Sequence, residues 1–347
     1  MFIRFLKTYC RMLLDIGRVG LACLRFYLLK TQVSSADRLA LMRLHCATNA
    51  KSSDFMATVL RMFEGIRTPA AASGLLGDLS VEQQSEIAKA IDRDGFYVFE
   101  KRLPAELCDA IEKFAQATPG SLEGYGTASG DLKLFDPSNP KSKTYRLQER
   151  TIAQNPSMQQ IMADASILAV AESYIGATPN LSMLNLWWSA NFGNEPGDAA
   201  AQNFHFDYDP PPKWLLFFVY LTDVDANNGP HVYVRGSHKA GHQASAELLK
   251  RGYVRISDED MAKAFGPDSI IEIHGKCGTV LAVDTRGFHK GKMLTSGHRL
   301  MAQLTFSYPA FSGAHGTVEQ LDQHVLPDLL SAARNVPKVF SRYLDVK

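Results

Sequence analysis

The chain has 347 residues, 46% of them hydrophobic and 21% charged, with a net charge of +1. That balance excludes a disordered or fibrous chain and leaves enough apolar material for one large domain with added helices, or a domain plus a smaller N-terminal unit. Five cysteines, odd in number and scattered without a C-x-x-C pair, exclude a disulfide framework and a zinc ribbon, and fit a reducing cytoplasm.

The near-neutral total conceals a polarised N-terminus. In residues 1–30 six basic side chains (Arg4, Lys7, Arg11, Arg18, Arg25, Lys30) face one acid, Asp15, giving +5 there and −4 in the remainder. Arg4, Lys7, Arg11, Asp15, Arg18 and Arg25 fall near one stripe at helical spacing, opposite Phe5, Leu6, Leu13 and Leu24, which predicts a basic amphipathic helix. Its charges break up the run of about 20 apolar residues that a bilayer span needs, and it lacks the apolar centre of a signal peptide. Two roles stay open for it: peripheral contact with an anionic membrane surface, or docking of its apolar face on the rest of the chain or on a second subunit.

Residues 31–79 continue as a helix-rich, mildly basic region, with Ala70-Ala71-Ala72-Ser73-Gly74 as the best linker candidate. Ser80 followed by Gln83 reads as a helix start, and that helix should run to about Arg93 before a strand from Phe96 to Phe99. Residues 80–347 then read as the catalytic domain. Within it Tyr145, Arg146 and Gln148 stand in a segment that offers polar groups to a ligand or simply a solvated face. Trp187, Trp188 and Trp214 read as core. The loop Asn191 to Gln202, with Gly193, Pro196 and Gly197, reads as a flap or as plain irregular chain.

The chemistry is concentrated in His205-Phe206-Asp207. In a strand, residues i and i+2 point to one face, so an imidazole and a carboxylate would stand side by side. Trp214 to Leu221 follows as an apolar aromatic run suited to a buried strand. His289 lies 84 residues beyond His205, after the strand-like Gly278 to Val283 and a turn containing Gly287. Two histidines and one carboxylate on one face of an octahedral iron leave three positions open, enough for a bidentate keto acid and dioxygen. A far-separated ligand brought back to the first is natural in a jelly-roll barrel. From Arg299 to Tyr308 the period is two, with Arg299, Met301, Gln303, Thr305 and Ser307 on one face. Arginine suits the distal carboxylate of 2-oxoglutarate because its planar fork binds both oxygens. His231 and His238 sit beside the turn residues Gly229-Pro230 and Gly236-Ser237 and read as fold residues.

From about Asp94 to Phe311 the chain resembles the phytanoyl-CoA dioxygenase family of iron(II)/2-oxoglutarate oxygenases. The resemblance is carried by Asp94-Gly95-Phe96-Tyr97-Val98, His205-Phe206-Asp207, Tyr220 to Asp225, Asn228 to Lys239, and His289 with Arg299; Arg235 stands where many members have proline. It implies an α+β fold with a mainly β core: a double-stranded β-helix, cupin-like, about residues 140–311, with flanking helices and a helical N-terminal extension. It also implies His205, Asp207 and His289 as iron ligands and Arg299 as the 2-oxoglutarate arginine; Gln303, on the face of Arg299, and Gln148, in the polar segment before the barrel, are further candidate cofactor-binding residues. The implied cofactors are Fe(II), 2-oxoglutarate and O2, and the implied partner is a small or lipid-like organic substrate, hydroxylated with release of succinate and CO2. The carboxylate at Asp207 argues for hydroxylation over halogenation, which needs a small residue there.

Two other readings remain: a metal barrel that uses no keto acid, and a non-catalytic scaffold recruited to a membrane by its first helix. The sequence has no phosphate-binding glycine loop, no nucleophile motif, and no basic face with interleaved aromatics of the kind that nucleic-acid binders use.

Overall fold

The computed structural model describes residues 2–65, 67–122, 132–192, 202–207, 212–311, 320–321 and 324–345, with side chains from Tyr9 onward. Gly193, Pro196 and Gly197 of the expected flap lie outside the described residues. Three helices come first, α1 (Phe2–Leu29), α2 (Ser35–Ala47) and α3 (Lys51–Glu64), then the hairpin β1 (Ala72–Gly74) and β2 (Gly77–Leu79), helix α4 (Val81–Asp94) and strand β3 (Phe96–Val98). Helix α5 (Ala105–Ala117), strands β4 (Gly120–Ser121), β5 (Leu132–Lys133) and β6 (Thr144–Arg146), and helices α6 (Glu149–Gln154), α7 (Pro156–Met162) and α8 (Ala165–Ile175) follow. The remaining strands are β7 (Asn180–Ala190), β8 (Trp214–Tyr220), β9 (His231–Val234), β10 (Ile270–Ile273), β11 (Val280–Val283), β12 (His289–Gly291) and β13 (His298–Ser307). Helices α9 (Gln243–Leu249) and α10 (Asp258–Phe265) lie between β9 and β10, and α11 (Pro327–Asn335) and α12 (Pro337–Phe340) close the chain.

The strands form an eight-stranded sheet in the order β3-β11-β8-β13-β7-β6-β4-β5 and a three-stranded sheet in the order β10-β9-β12, every pairing antiparallel. Side-chain alternation explains why the large sheet reads as continuous apolar sequence. On β8, Leu215, Phe217 and Val219 join the core under the helices, while Trp214, Leu216, Phe218 and Tyr220 join a second core shared with Tyr233 and Ile273 of the small sheet. On β13, Leu300, Ala302, Leu304 and Phe306 face the helices, which leaves Arg299, Met301 and Gln303 on the side toward the small sheet. The expected jelly-roll core with flanking helices is the observed architecture.

Helix α4 starts with the expected capping box, in which the Ser80 side chain accepts from the Gln83 amide and the Gln83 side chain accepts from the Ser80 amide. It ends at Gly95, whose φ of 91° and contact with the Tyr233 ring leave no room for a side chain. The expected linker is instead part of the β1–β2 hairpin. The Asp164 carboxylate occupies the space that a Cβ on Gly74 would need, accepts from the Leu75 amide at 2.7 Å, and so docks the small-residue stretch on α8. The N-terminal helices are likewise built into the molecule: Ala57 and Leu60 of α3 lie in the main core, and the Tyr308 hydroxyl donates to the Ala57 carbonyl at 3.1 Å.

Candidate metal centre

His205 and His289 meet through their backbones. The His205 N–H donates to the His289 carbonyl at 3.0 Å and the His289 N–H returns to the His205 carbonyl at 2.8 Å, an antiparallel pair that places the two side chains next to each other. The Asp207 N–H donates to the Thr285 carbonyl at 3.0 Å. The Asp207 Oδ1 atom then lies 3.8 Å from His205 Nε2 and 3.6 Å from His289 Nε2, with the imidazole centroids 4.4 Å apart. The three ligand-type atoms lie within 4.8 Å of one another.

Local hydrogen bonds fix which ring nitrogens face the centre. Nδ1 of His205 sits 2.9 Å from the Asn203 carbonyl, and Nδ1 of His289 2.9 Å from the Gly287 carbonyl. A carbonyl only accepts, so each Nδ1 carries the proton and each Nε2 presents a lone pair toward Asp207. Burial pushes His205 down to about 3, so its ring is neutral. Burial alone would raise the Asp207 carboxyl, but the polar groups that it faces, the His289 imidazole first, outweigh it and bring the group down to about 2. An ionised carboxylate between imidazole lone pairs is the donor set of a divalent iron site, so the residues present fit the metal.

A buried ionic network supports this corner from behind. Asp284 accepts from Arg286 Nη2 at 2.6 Å and from the Tyr174 hydroxyl at 2.5 Å, while Arg286 also reaches Asp54 of α3 at 3.1 Å and the Pro212 carbonyl at 2.7 Å. Burial would raise the Asp284 carboxyl, yet the charge and hydrogen bonds of Arg286 hold it well below the usual carboxylate range. Thr285, next in sequence, supplies the carbonyl that holds Asp207.

Arg299, 5% exposed, stands opposite Ser189 across the β13–β7 pairing. Its Nη1 donates to the Gly229 carbonyl and its Nη2 to Ser189 Oγ at 3.3 Å, whereas its Nε is buried without a partner. His231 lies between this arginine and the triad. It pairs across β9–β12 with Gly291, where a Cβ would come 3.8 Å from Arg299 Nη2. The His231 ring sits 5.5 Å from that of His289 and 5.0 Å from that of Phe218, and its Nε2 is also buried without a partner. Burial, helped by the charge of Arg299, keeps this imidazole well below its ordinary range and therefore neutral. Two orphaned buried nitrogens, one in the Arg299 guanidinium and one on the His231 ring, offer hydrogen bonds to an acidic ligand, and they fit a 2-oxoglutarate carboxylate.

Other sequence expectations divide. Gln303 shares the inward face with Arg299, but its amide donates to Thr305 Oγ1 at 2.9 Å. Gln148 is exposed at the N-cap of α6, because the chain leaves the sheet after Arg146 and turns into the helix. Arg146 takes the inward place, 5.1 Å over the Trp187 ring, with Nη1 2.7 Å from Asn185 Oδ1. Trp187 and Trp214 belong to the inner core and Trp188 to the outer one. His238 is a fold residue, its Nε2 3.1 Å from the Asp92 carbonyl. His231, expected to be one too, is buried on β9 with its Nε2 unpartnered; strand alternation with Tyr233 is the signal that turns it inward.

The family model for phytanoyl-CoA dioxygenase (PhyH) matches residues 91–301, a stretch that carries the triad, His231 and Arg299. The chain belongs to the phytanoyl-CoA dioxygenase family. This member is a non-haem iron/2-oxoglutarate-dependent oxygenase whose cofactors are iron, 2-oxoglutarate and O2. Among solved structures it is similar to EctD from S. alaskensis with bound Fe, at 22% identity and a TM-score of 0.46 over 73% of this chain and 84% of that one. It is also similar to HygX from Streptomyces hygroscopicus with iron bound, at 17% identity and a TM-score of 0.45 over 70% of this chain and 92% of that one. The epimerase SnoN from nogalamycin biosynthesis gives 17% identity and a TM-score of 0.46 over 66% and 84%. No curated protein matches in sequence.

Proposed function

We propose that this oxygenase hydroxylates a small or lipid-like organic substrate, with His205, Asp207 and His289 holding iron(II) and Arg299 holding 2-oxoglutarate. The observation that carries this reading is the pairing of both Nδ1 atoms to backbone carbonyls, which leaves two Nε2 lone pairs aimed at one carboxylate oxygen. Iron(II) with 2-oxoglutarate supplies the oxidising chemistry: one oxygen atom of O2 enters succinate as CO2 is lost, and the other converts a substrate C–H into C–OH. The chain's own groups bind and orient. Arg299, Ser189 and His231 take the distal carboxylate of the keto acid. Trp187, Phe218 and Met301 form an apolar wall that keeps water from the reacting end. Gln303, tied to Thr305, lines the same face and serves the co-substrate only at second hand.

Anaerobic titration with iron(II) and 2-oxoglutarate, followed by admission of oxygen and assay of succinate, tests this reading. A visible charge-transfer band and oxygen-dependent succinate are expected. Absence of both, with a substrate panel present, would sink the assignment.

We take residues 80–347 as the oxygenase domain and place the protein in the cytoplasm, peripheral to a membrane through residues 1–30. The described cysteine thiols are all free, which suits a reducing compartment. Among the described residues no helix is long and apolar enough to cross a membrane, so contact would be at the surface.

A further inference from the structure

Helix α1 is apolar on two sides. One side packs inward: Val19 and Ala22 are buried, and Asp15 is buried beneath Arg43 of α2, whose Nη2 lies 2.5 Å from the carboxylate. The opposite side, Leu13, Gly17, Leu21, Leu24 and Leu28, repeats at intervals of three and four residues and is exposed along its length. Leu13, Leu21 and Leu24 are 51 to 53% exposed, and Leu14 and Leu28 are 70% exposed. At 1.5 Å per residue this outward row is roughly 22 Å long, far more than the isolated exposed leucine of an ordinary surface. The apolar surface carries over to α3, where Phe63 is 61% exposed and stacks on Tyr27 with centroids 5.0 Å apart.

Charge identifies the occupant. Arg11, Arg18 and Arg25, seven residues apart, run along one edge of the leucine row and are exposed. Arg18 and Arg25 share one carboxylate, Asp37, at 2.8 and 3.5 Å, so that edge keeps a positive excess. The one acid of the helix, Asp15, is turned inward and paired. A second copy of the chain would bring this face against itself, setting arginine edges together with no carboxylate on the face to answer them. An anionic lipid surface answers both features, with phosphates for the arginines and acyl chains for the leucines.

We propose that the outward face of α1, extended by Phe63 of α3, lies flat on an anionic phospholipid surface. The inference rests on the peripheral-membrane reading above and adds to it the face, the orientation and the lipid class. The helix stays in the plane of the interface, its inner side still bonded to α2, so docking requires no unfolding. The molecule then approaches a membrane with its one strongly basic segment first, while the remaining chain, at −4, is repelled from the same surface.

The test is co-sedimentation of the full chain with vesicles of phosphatidylcholine alone and of phosphatidylcholine containing one third phosphatidylglycerol. It compares wild type with Leu21→Asp/Leu24→Asp and with Arg11→Glu, and light scattering is run on each. Wild type should bind the anionic vesicles at least about tenfold better than the neutral ones and release in high salt. The leucine double variant should lose binding, and Arg11→Glu should weaken it at least about fivefold, both with unchanged Tm because the altered side chains are exposed. Equal binding to both vesicle types would overturn the lipid class while leaving peripheral contact standing. Binding that survives in the leucine variant would overturn the assigned face. No vesicle binding at all would overturn the peripheral reading itself, and a dimer lost in the leucine variant would make the face a self-association surface.

Discussion

His205 and His289 hold each other through two backbone hydrogen bonds, of 3.0 and 2.8 Å, while their imidazole centroids stand 4.4 Å apart. Because the main chain makes this pairing, either side chain can be removed without undoing it. His205→Ala and His289→Ala should keep the wild-type fold, with Tm within a few degrees, and lose iron affinity by more than about a hundredfold. Anaerobic iron(II) titration beside a thermal melt checks both. A variant that binds iron normally would disqualify that histidine as a ligand.

Arg299→Ala should leave iron binding intact and weaken 2-oxoglutarate by about tenfold to a hundredfold, the loss of a charge-assisted pair. Arg299→Lys should recover little, since a single ammonium cannot reproduce the planar fork that spans Gly229 and Ser189. The band formed by iron and keto acid together gives the affinity directly, and equal affinity in all three proteins would remove Arg299 from the site.

His231→Phe preserves a ring against Phe218 and His289 but deletes the unpartnered Nε2. Expected is a loss of 2-oxoglutarate affinity of about threefold to tenfold, one hydrogen bond, with iron affinity unchanged and partial recovery in His231→Gln. Unaltered affinity in the phenylalanine variant would make His231 a packing residue only.

Asp284 is fully buried, and its carboxyl is held below the usual carboxylate range by Arg286. A depressed folded value means that this pair's contribution is present at neutral pH, persists down to the unfolded carboxylate value near 4, and is lost as pH falls below that. Breaking one side of a buried pair costs about 3–5 kcal/mol, so Asp284→Asn should lower stability at pH 7 by that order and flatten the acid limb of the stability curve. Urea unfolding at several pH values would show this; a variant as acid-sensitive as wild type would exclude Asp284 as the source.

Much of the site was legible because strand parity needs no tertiary information. The period-two pattern of residues 299–308 placed Arg299, Met301 and Gln303 on one face, and the structure keeps them there. Partners across strands were not legible. That Ser189 would face Arg299 follows from a register fixed by the whole β13–β7 ladder, and no local signal encodes it. The inward aim of His231 was not legible because the neighbouring Gly229-Pro230 announces a turn, which hides the alternation beginning one residue later. The stretch Ala70 to Gly74 has the composition of a linker, but its Gly74 makes way for Asp164 in a docked hairpin. On α1 the pattern showed a basic stripe opposite Leu13 and Leu24, and only the fold showed that these leucines face outward while Asp15, Val19 and Ala22 turn inward.

The hydrogen bonds from Nδ1 of His205 and His289 to the carbonyls of Asn203 and Gly287 come from the chain's own backbone, so the site is primed before any ion arrives. A primed site does not choose its occupant. By the ordinary order of divalent affinities, copper, nickel and zinc would outcompete iron for these three ligands. Which metal the newly made protein carries is therefore decided by what the cell makes available when folding finishes, and copies that pick up zinc would be intact, stable and silent.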